Sequence, residues 1–272
     1  MKAIIVIPAR INSERLPNKP LIKIKGKEML LRVVEIAEYV KNKRTEIEDV
    51  IVATDSNIIQ SFCDKNEIKS IIIKQDCSCG SERVWYTLKE LNLTPDFVLN
   101  FQGDNPLCPP WFLEKLLDDF LIGLNIEIIS PCVRLSWNEL DKMREIKKKS
   151  PFSGTTVVFN KRKDAIWFSK QILPAIRNEN QVRKELSKSP VYKHIGVYGY
   201  SYNILRKIEN LKQSNYMKWE GLEQFLFIEN GIKIKLSEVD YQGRGESMPG
   251  INTIHLIKEA EKIIDMYGEL IM

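Results

Sequence analysis

Three cations, Arg10, Arg15 and Lys19, share one short segment with Ser13, and Pro8, Pro17 and Pro20 punctuate it. The apolar run Ala3–Ile7 leads directly into it. A strand that ends in a rigid, cationic, hydroxyl-bearing loop is a place to hold a polyphosphate. Proline fixes φ, so the charges are presented at little ordering cost when an anion arrives. The same residues also read as a solvated connection that happens to be cationic.

Other segments carry polar chemistry at the ends of apolar runs. Asn100 to Leu107 closes a strand with Gln102 and an acid, Asp104, in a glycine turn. An aspartate there can hold Mg²⁺ against phosphate oxygens, although a Gly-Asp pair is also an ordinary turn. Asp76 to Arg83 opens a helix with Gly80, Ser81 and Arg83 at its positive end, first a helix start and second a nucleotide contact. Lys193 to Tyr200 reads as one strand, Tyr192–Tyr200, whose period of two puts His194, Gly196, Tyr198 and Tyr200 on one face. That face is too polar for a core and suits a hydroxyl-rich ligand, with a hydrogen-bonded, partly buried histidine as the alternative.

These groups need elements to position them. The first half alternates β-branched runs (Ala3–Ile7, Val50–Ala53, Ser70–Ile73, Phe97–Phe101, Glu127–Val133) with helical patterns (Leu30–Val40, Ser56–Lys65, Gly80–Leu91, Trp111–Leu121). Strict alternation predicts an α/β fold with a doubly wound, mostly parallel sheet. Ligands in such sheets bind beyond the carboxyl ends of the strands, which would gather Arg10, Asp55 and Asp104 into one crevice. After Leu135 the pattern changes. A charged helix, Trp137–Lys148, is followed by strands Thr155–Phe159 and Asp164–Phe168, a polar stretch Arg177–Ser189 and the Tyr192–Tyr200 strand. We read a single domain over residues 1–272 with a smaller antiparallel insertion over about residues 135–212, suited to sugar binding and to a subunit interface. Helix Trp219–Ile228, strand Lys233–Val239 and helix Asn252–Met266 return to the core.

The 272 residues are 43% hydrophobic, enough for one large domain. A net charge of +5, with 36 acidic residues interspersed, suits an anionic small molecule rather than a nucleic acid. The basic run Lys147–Lys149 reads as a solvated helix end. No apolar stretch approaches the ~20 residues of a membrane span, so a cytoplasmic protein is expected. The five cysteines are odd in number and irregularly spaced, which favours reduced, non-catalytic thiols.

Together these motifs closely resemble one family, the 3-deoxy-manno-octulosonate (Kdo) cytidylyltransferases, or CMP-Kdo synthetases. The resemblance covers nearly the whole chain: Ile7 to Leu21, Val52 to Asp55, Gly80 to Arg83, Gln102 to Asp104, His194 to Tyr200 and Leu222 to Gln224. It implies a fold like the nucleotide-diphospho-sugar transferases. It also implies a homodimer that joins a 2-keto-3-deoxy sugar acid to CTP, with Mg²⁺, releasing pyrophosphate during bacterial surface glycan (lipopolysaccharide) synthesis. Carried over by position, Arg10, Ser13 and Lys19 would hold the triphosphate, and Gly80, Ser81 and Arg83 would surround the base. Gln102, His194, Tyr198, Glu223 and Gln224 would face the sugar acid. Arg10, Lys19 and Asp104 would be the catalytic set, with Asp104 on the metal.

The chain departs from that pattern at Asn252, where the family carries a second metal-binding aspartate, so a weaker metal contact through Asn252 is expected. Glu246 or Asp240 could substitute if their loop folds inward. Cys77, Cys79, Thr155, Thr156 and Lys170 also differ from the family pattern, and they cluster in the sugar and metal half. The alternative reading is a non-catalytic nucleotide-binding homologue that lost its chemistry through Asn252.

Overall fold

The computed structural model describes residues 1–11, 16–123, 125–213, 215–244, 250–251 and 253–271. Ser13, Arg15, Glu246 and Asn252 therefore lie outside the described residues. In chain order the elements begin with β1 (Ala3–Ala9), the hairpin β2 (Lys23–Ile24) and β3 (Lys27–Glu28), α1 (Met29–Lys43) and β4 (Ile47–Thr54). Next come α2 (Asn57–Lys65), β5 (Ser70–Ile72), α3 (Gly80–Glu90), β6 (Phe97–Phe101), α4 (Pro110–Ile122) and β7 (Ile128–Arg134). The second half has α5 (Trp137–Lys149), β8 (Thr155–Phe159), β9 (Ala165–Ser169), α6 (Glu179–Glu185), β10 (Tyr192–His194) and β11 (Val197–Ser201). Helices α7 (Tyr202–Leu205), α8 (Asn215–Glu220) and α9 (Gln224–Ile228), strand β12 (Ile234–Glu238) and α10 (Ile254–Tyr267) complete the chain.

The α/β architecture is as expected. Strands β5, β4, β1 and β6 lie side by side and parallel. Their residues are apolar on both faces because helices cover both, one face packing with Ile5, Ile7 and Leu99 and the other with Ile4, Val6 and Val98. From β1 the chain first winds outward to β4 and β5, then returns to add β6 on the other side. That reversal opens a crevice beyond the ends of β1 and β6. Gly103 closes its floor: its amide donates to the Pro8 carbonyl at 3.3 Å, and an added Cβ would lie 3.1 Å from the same oxygen.

Beyond β6 the sheet continues through β11, β7, β10, β8 and β9 by antiparallel pairing, while β12 joins β7 in parallel. The antiparallel strands thus extend the main sheet instead of forming a separate layer.

Four local expectations need correction. Tyr192–Tyr200 is two strands, because the chain kinks at Ile195 and Gly196, where the Val197 amide reaches back to the Ile195 carbonyl at 2.8 Å. The kink lets β10 pair with β8 while β11 wedges between β6 and β7. The face bearing Tyr198 and Tyr200 is not too polar for the interior: both rings are buried in the core, where their hydroxyls find partners in Gln224 and Ser81. Helix Trp219–Ile228 is broken at Gly221, whose φ of 62° is left-handed. The polar stretch Arg177–Ser189 contains α6, built on ion pairs of Glu179 with Arg144 and Arg183 and with no buried residue.

Gly199 in β11 marks the tightest strand contact. A Cβ there would come within 2.2 Å of the Phe97 ring and 2.7 Å of Ile129. Gly199→Ala should therefore destabilise the fold by about 1–3 kcal/mol through overpacking, read as a melting temperature lowered by several degrees.

Candidate active site

Two adjoining cavities occupy the crevice. The smaller, about 230 Å³, is lined by Pro8, Ala9, Arg10, Lys19, Pro20, Gly80, Gln102, Gly103 and Asp104. The larger, about 510 Å³, also contains Gly80, Gln102 and Asp104, so those three residues form a shared wall. Beyond that wall the larger cavity holds Lys170, Lys193, His194, Tyr198, Glu223 and Gln224.

The smaller cavity is cationic. Arg10 follows β1 directly, and Lys19 opens a short 3₁₀ turn, Lys19–Leu21, entered through Asn18 in the left-handed region. Lys19 Nζ donates to Asp104 Oδ2 at 2.8 Å, both side chains being only partly exposed. Asp55 buttresses the entry to the cationic loop. Its Oδ1 accepts from the Ile11 amide at 3.2 Å, and its Oδ2 accepts from Arg83 at 3.2 Å. Arg83 is 3% exposed and lines neither cavity, and two of its guanidinium nitrogens, Nε and Nη1, lack a partner. Its burial lowers its pKa from the usual arginine value.

Ser81 also lies beneath the surface. Its hydroxyl meets Tyr200 at 2.6 Å and donates to Glu223 Oε2 at 3.0 Å, and its amide donates to that same oxygen at 3.2 Å. Glu223 thus caps the N-terminus of α3, where the helix favours negative charge. Gln102 Nε2 donates to the other carboxylate oxygen at 3.0 Å. Burial holds the Glu223 carboxyl above the usual range despite these donors.

The floor of the larger cavity is a hydrogen-bonded chain. Ser130 Oγ donates to the Val197 carbonyl at 2.7 Å and therefore accepts from His194 Nε2 at 2.7 Å. His194 Nδ1 is then the acceptor for Gln224 Nε2 at 3.3 Å, which also donates to the Tyr198 hydroxyl at 2.6 Å. Burial and the Lys170 charge push the His194 pKa down to about 3, so the ring is neutral. Gln224 is 2% exposed and its Oε1 has no partner, an unmet acceptor within the cavity lining.

Arg10, Lys19, Gly80, Gln102, Asp104, His194, Tyr198, Glu223 and Gln224 all line the two adjoining cavities, while Ser81 and Arg83 lie beneath them. Sequence reasoning passed over Ser130, Asn105 and Lys193. Asn105 Nδ2 donates to the Gly196 carbonyl at 3.2 Å and ties the kink to the Asp104 turn. The kink itself was the missing signal, since it is what turns β10 toward the cavity. Asp240 is exposed, its carboxylate accepts from the Gln242 amide at 2.7 Å, and it lines neither cavity. The five cysteines are buried and unbridged, and burial raises the Cys63 thiol to about 11 and the Cys132 thiol to about 12. Such thiols are inert.

Among the described residues, no group of three or more His, Cys, Asp or Glu side chains forms a metal cage. A lone partly exposed carboxylate facing the cationic cavity does fit Mg²⁺, which keeps most of its waters and takes one or two carboxylates together with substrate phosphates. Among the described residues no helix is long and apolar enough to cross a membrane.

The profile of the family described as Cytidylyltransferase matches residues 4–234. The 3-deoxy-manno-octulosonate cytidylyltransferase of Maricaulis maris (strain MCS10) is 35% identical over 271 residues, covering 100% of both chains. The enzyme of the same name from Elusimicrobium minutum (strain Pei191) is 31% identical, covering 96% of this chain and 97% of its own. The solved CMP:2-keto-3-deoxy-manno-octonic acid synthetase complexed with CTP superposes with a TM-score of 0.80 at 29% identity, over 98% of this chain and 99% of that one. The chain accordingly belongs to the cytidylyltransferases, and within them to the 3-deoxy-manno-octulosonate cytidylyltransferase family.

Proposed function

We propose that this nucleotidyltransferase moves CMP from CTP to the anomeric hydroxyl of Kdo, or a close 2-keto-3-deoxy sugar acid, and releases pyrophosphate. The reading is carried by the shared wall: a cationic cavity and a larger polar cavity meet at Gly80, Gln102 and Asp104. The triphosphate would occupy the smaller cavity, against Arg10 and Lys19, with Ser13 added from the sequence. Gly80 lies at the seam, with Ser81 and Arg83 behind it on the base side.

The acceptor would occupy the larger cavity. Lys170 and Lys193 supply positive charge for its carboxylate. The unmet Gln224 acceptor and the Tyr198 hydroxyl suit sugar hydroxyls, while neutral His194 fixes the Gln224 amide. Glu223 Oε1 carries one bond, from Gln102, and so keeps a lone pair for the attacking hydroxyl.

In the reaction the hydroxyl oxygen bonds to the α-phosphorus, the bond to the pyrophosphate oxygen breaks, and the hydroxyl proton passes to Glu223. Charge builds on the phosphates opposite Arg10 and Lys19, so catalysis is largely positioning and electrostatic stabilisation. Mg²⁺ would be held by Asp104, with Asn252 added from the sequence, and when bound would neutralise phosphate charge. The product suits bacterial surface glycan synthesis in the cytoplasm.

The assembly we infer is a homodimer. Strand β9 is a sheet edge carrying Trp167, and Tyr216 of α8 meets both that ring and Trp219 edge-on, Trp219 being 67% exposed. A second copy would cover such an edge.

Pyrophosphate release should require CTP, Kdo and Mg²⁺ together, and chelation should abolish it. Lys19→Ala should cost about 10²- to 10³-fold in turnover. Silence with Kdo and related ulosonic acids at high Mg²⁺ sinks the reading. As pH falls, protonation of Glu223 through its raised pKa should switch the wild type off. Glu223→Gln should lose about 10²- to 10⁴-fold and flatten that acidic limb. Sedimentation should return twice the chain mass, and a monomer at micromolar concentration removes the dimer.

A further inference from the structure

Lys147 lies in the last turn of α5, the segment read from sequence as a solvated helix end. Its ammonium is instead surrounded by backbone carbonyls: Ser153 at 2.6 Å, Gly154 at 3.2 Å, Pro151 at 3.3 Å and Lys170 at 2.5 Å. Three of these belong to the turn that follows α5, closed by the Ser153 amide on the Ser150 carbonyl at 2.9 Å. The fourth comes from the residue just past β9. Partial burial and the nearby Lys170 charge push the Lys147 pKa down to about 8, and the carbonyls stand in for part of the ammonium's water. A ring of carbonyls around one positive charge is how proteins strip and hold a monovalent ion.

The ring also touches the cavity. Gly154 and Lys170, each giving a carbonyl to the ring, line the larger cavity together with Thr155. Lys170 Nζ donates to Thr155 Oγ1 at 3.0 Å, and its backbone amide donates to Glu220 at 2.7 Å. Removing the central charge would leave four carbonyl dipoles converging on an empty seat, and that wall would open.

We propose that Lys147 is a positioning residue that acts as a tethered monovalent cation, locking the residue 151–154 turn to Lys170 and so shaping the acceptor side of the larger cavity. The acceptor assignment of that cavity rests on the function proposed above; the ring itself does not.

The test replaces Lys147 with Ala and, to keep the stem, with Met. Each variant is assayed in potassium, ammonium or tetramethylammonium chloride at constant ionic strength. In tetramethylammonium the sugar-acid KM should rise about tenfold or more, with kcat and the CTP KM within about threefold. Potassium or ammonium, small enough to enter the ring, should restore it. Amide exchange over residues 150–154 should quicken in both variants and slow again with potassium or ammonium, whether or not any sugar acid turns over. A KM loss that no cation repairs, an equal rise in the CTP KM, or exchange indifferent to the cation overturns the proposal. A wild type inactive on every acceptor removes the function while leaving the exchange result to decide on the ring.

Discussion

One carboxylate holds the two halves of the crevice in register. Glu223 sits at the start of α9, yet it caps α3 through Ser81 and accepts from Gln102 at the end of β6. Residues from three distant parts of the chain therefore meet at a single partly exposed acid. Its burial is offset by three donors and by the positive end of a helix, and without them a charge there would be costly. The shared wall of the two cavities is built on this contact, because Gln102 and Gly80 flank it on either side.

The smaller cavity is held differently. Strand β1 delivers Arg10, β6 delivers Asp104, and the parallel pairing of Ile5 with Leu99 and Val6 with Asn100 fixes how far apart they start. Gly103 permits the close approach of the two strand ends, and Lys19 crosses the gap to Asp104. Asp55 holds the entry to the loop from the neighbouring strand end. The cationic groups are thus spaced by backbone geometry before any anion is present, which is the economy of a pre-ordered site.

Much of this was legible in the residues. Ala3–Ile7, Val50–Ala53 and Phe97–Phe101 are short β-branched or aromatic runs with helical patterns between them, and they fall inside β1, β4 and β6. Ser56, where the helical pattern Ser56–Lys65 begins, caps α2 through the Ile58 amide. The parts that escaped are non-local. Whether Ile195 and Gly196 continue a strand depends on Pro131 and Asn105, far away in sequence. The polar face of Tyr198 and Tyr200 could be buried only because Gln224 and Ser81 arrive from other elements to satisfy the hydroxyls. Lys147 looks like any helix-end lysine until the carbonyls of the following turn are folded around it.

The histidine under the larger cavity has a consequence for the living cell. Bonded on both nitrogens and neutral down to about pH 3, it contributes no charge that ordinary swings of internal acidity could alter. A ring commonly used elsewhere as a proton sensor is here frozen into a spacer. Any change that mild acid stress brings to this cavity must therefore come from Glu223, whose carboxyl titrates above the usual range, and not from the imidazole.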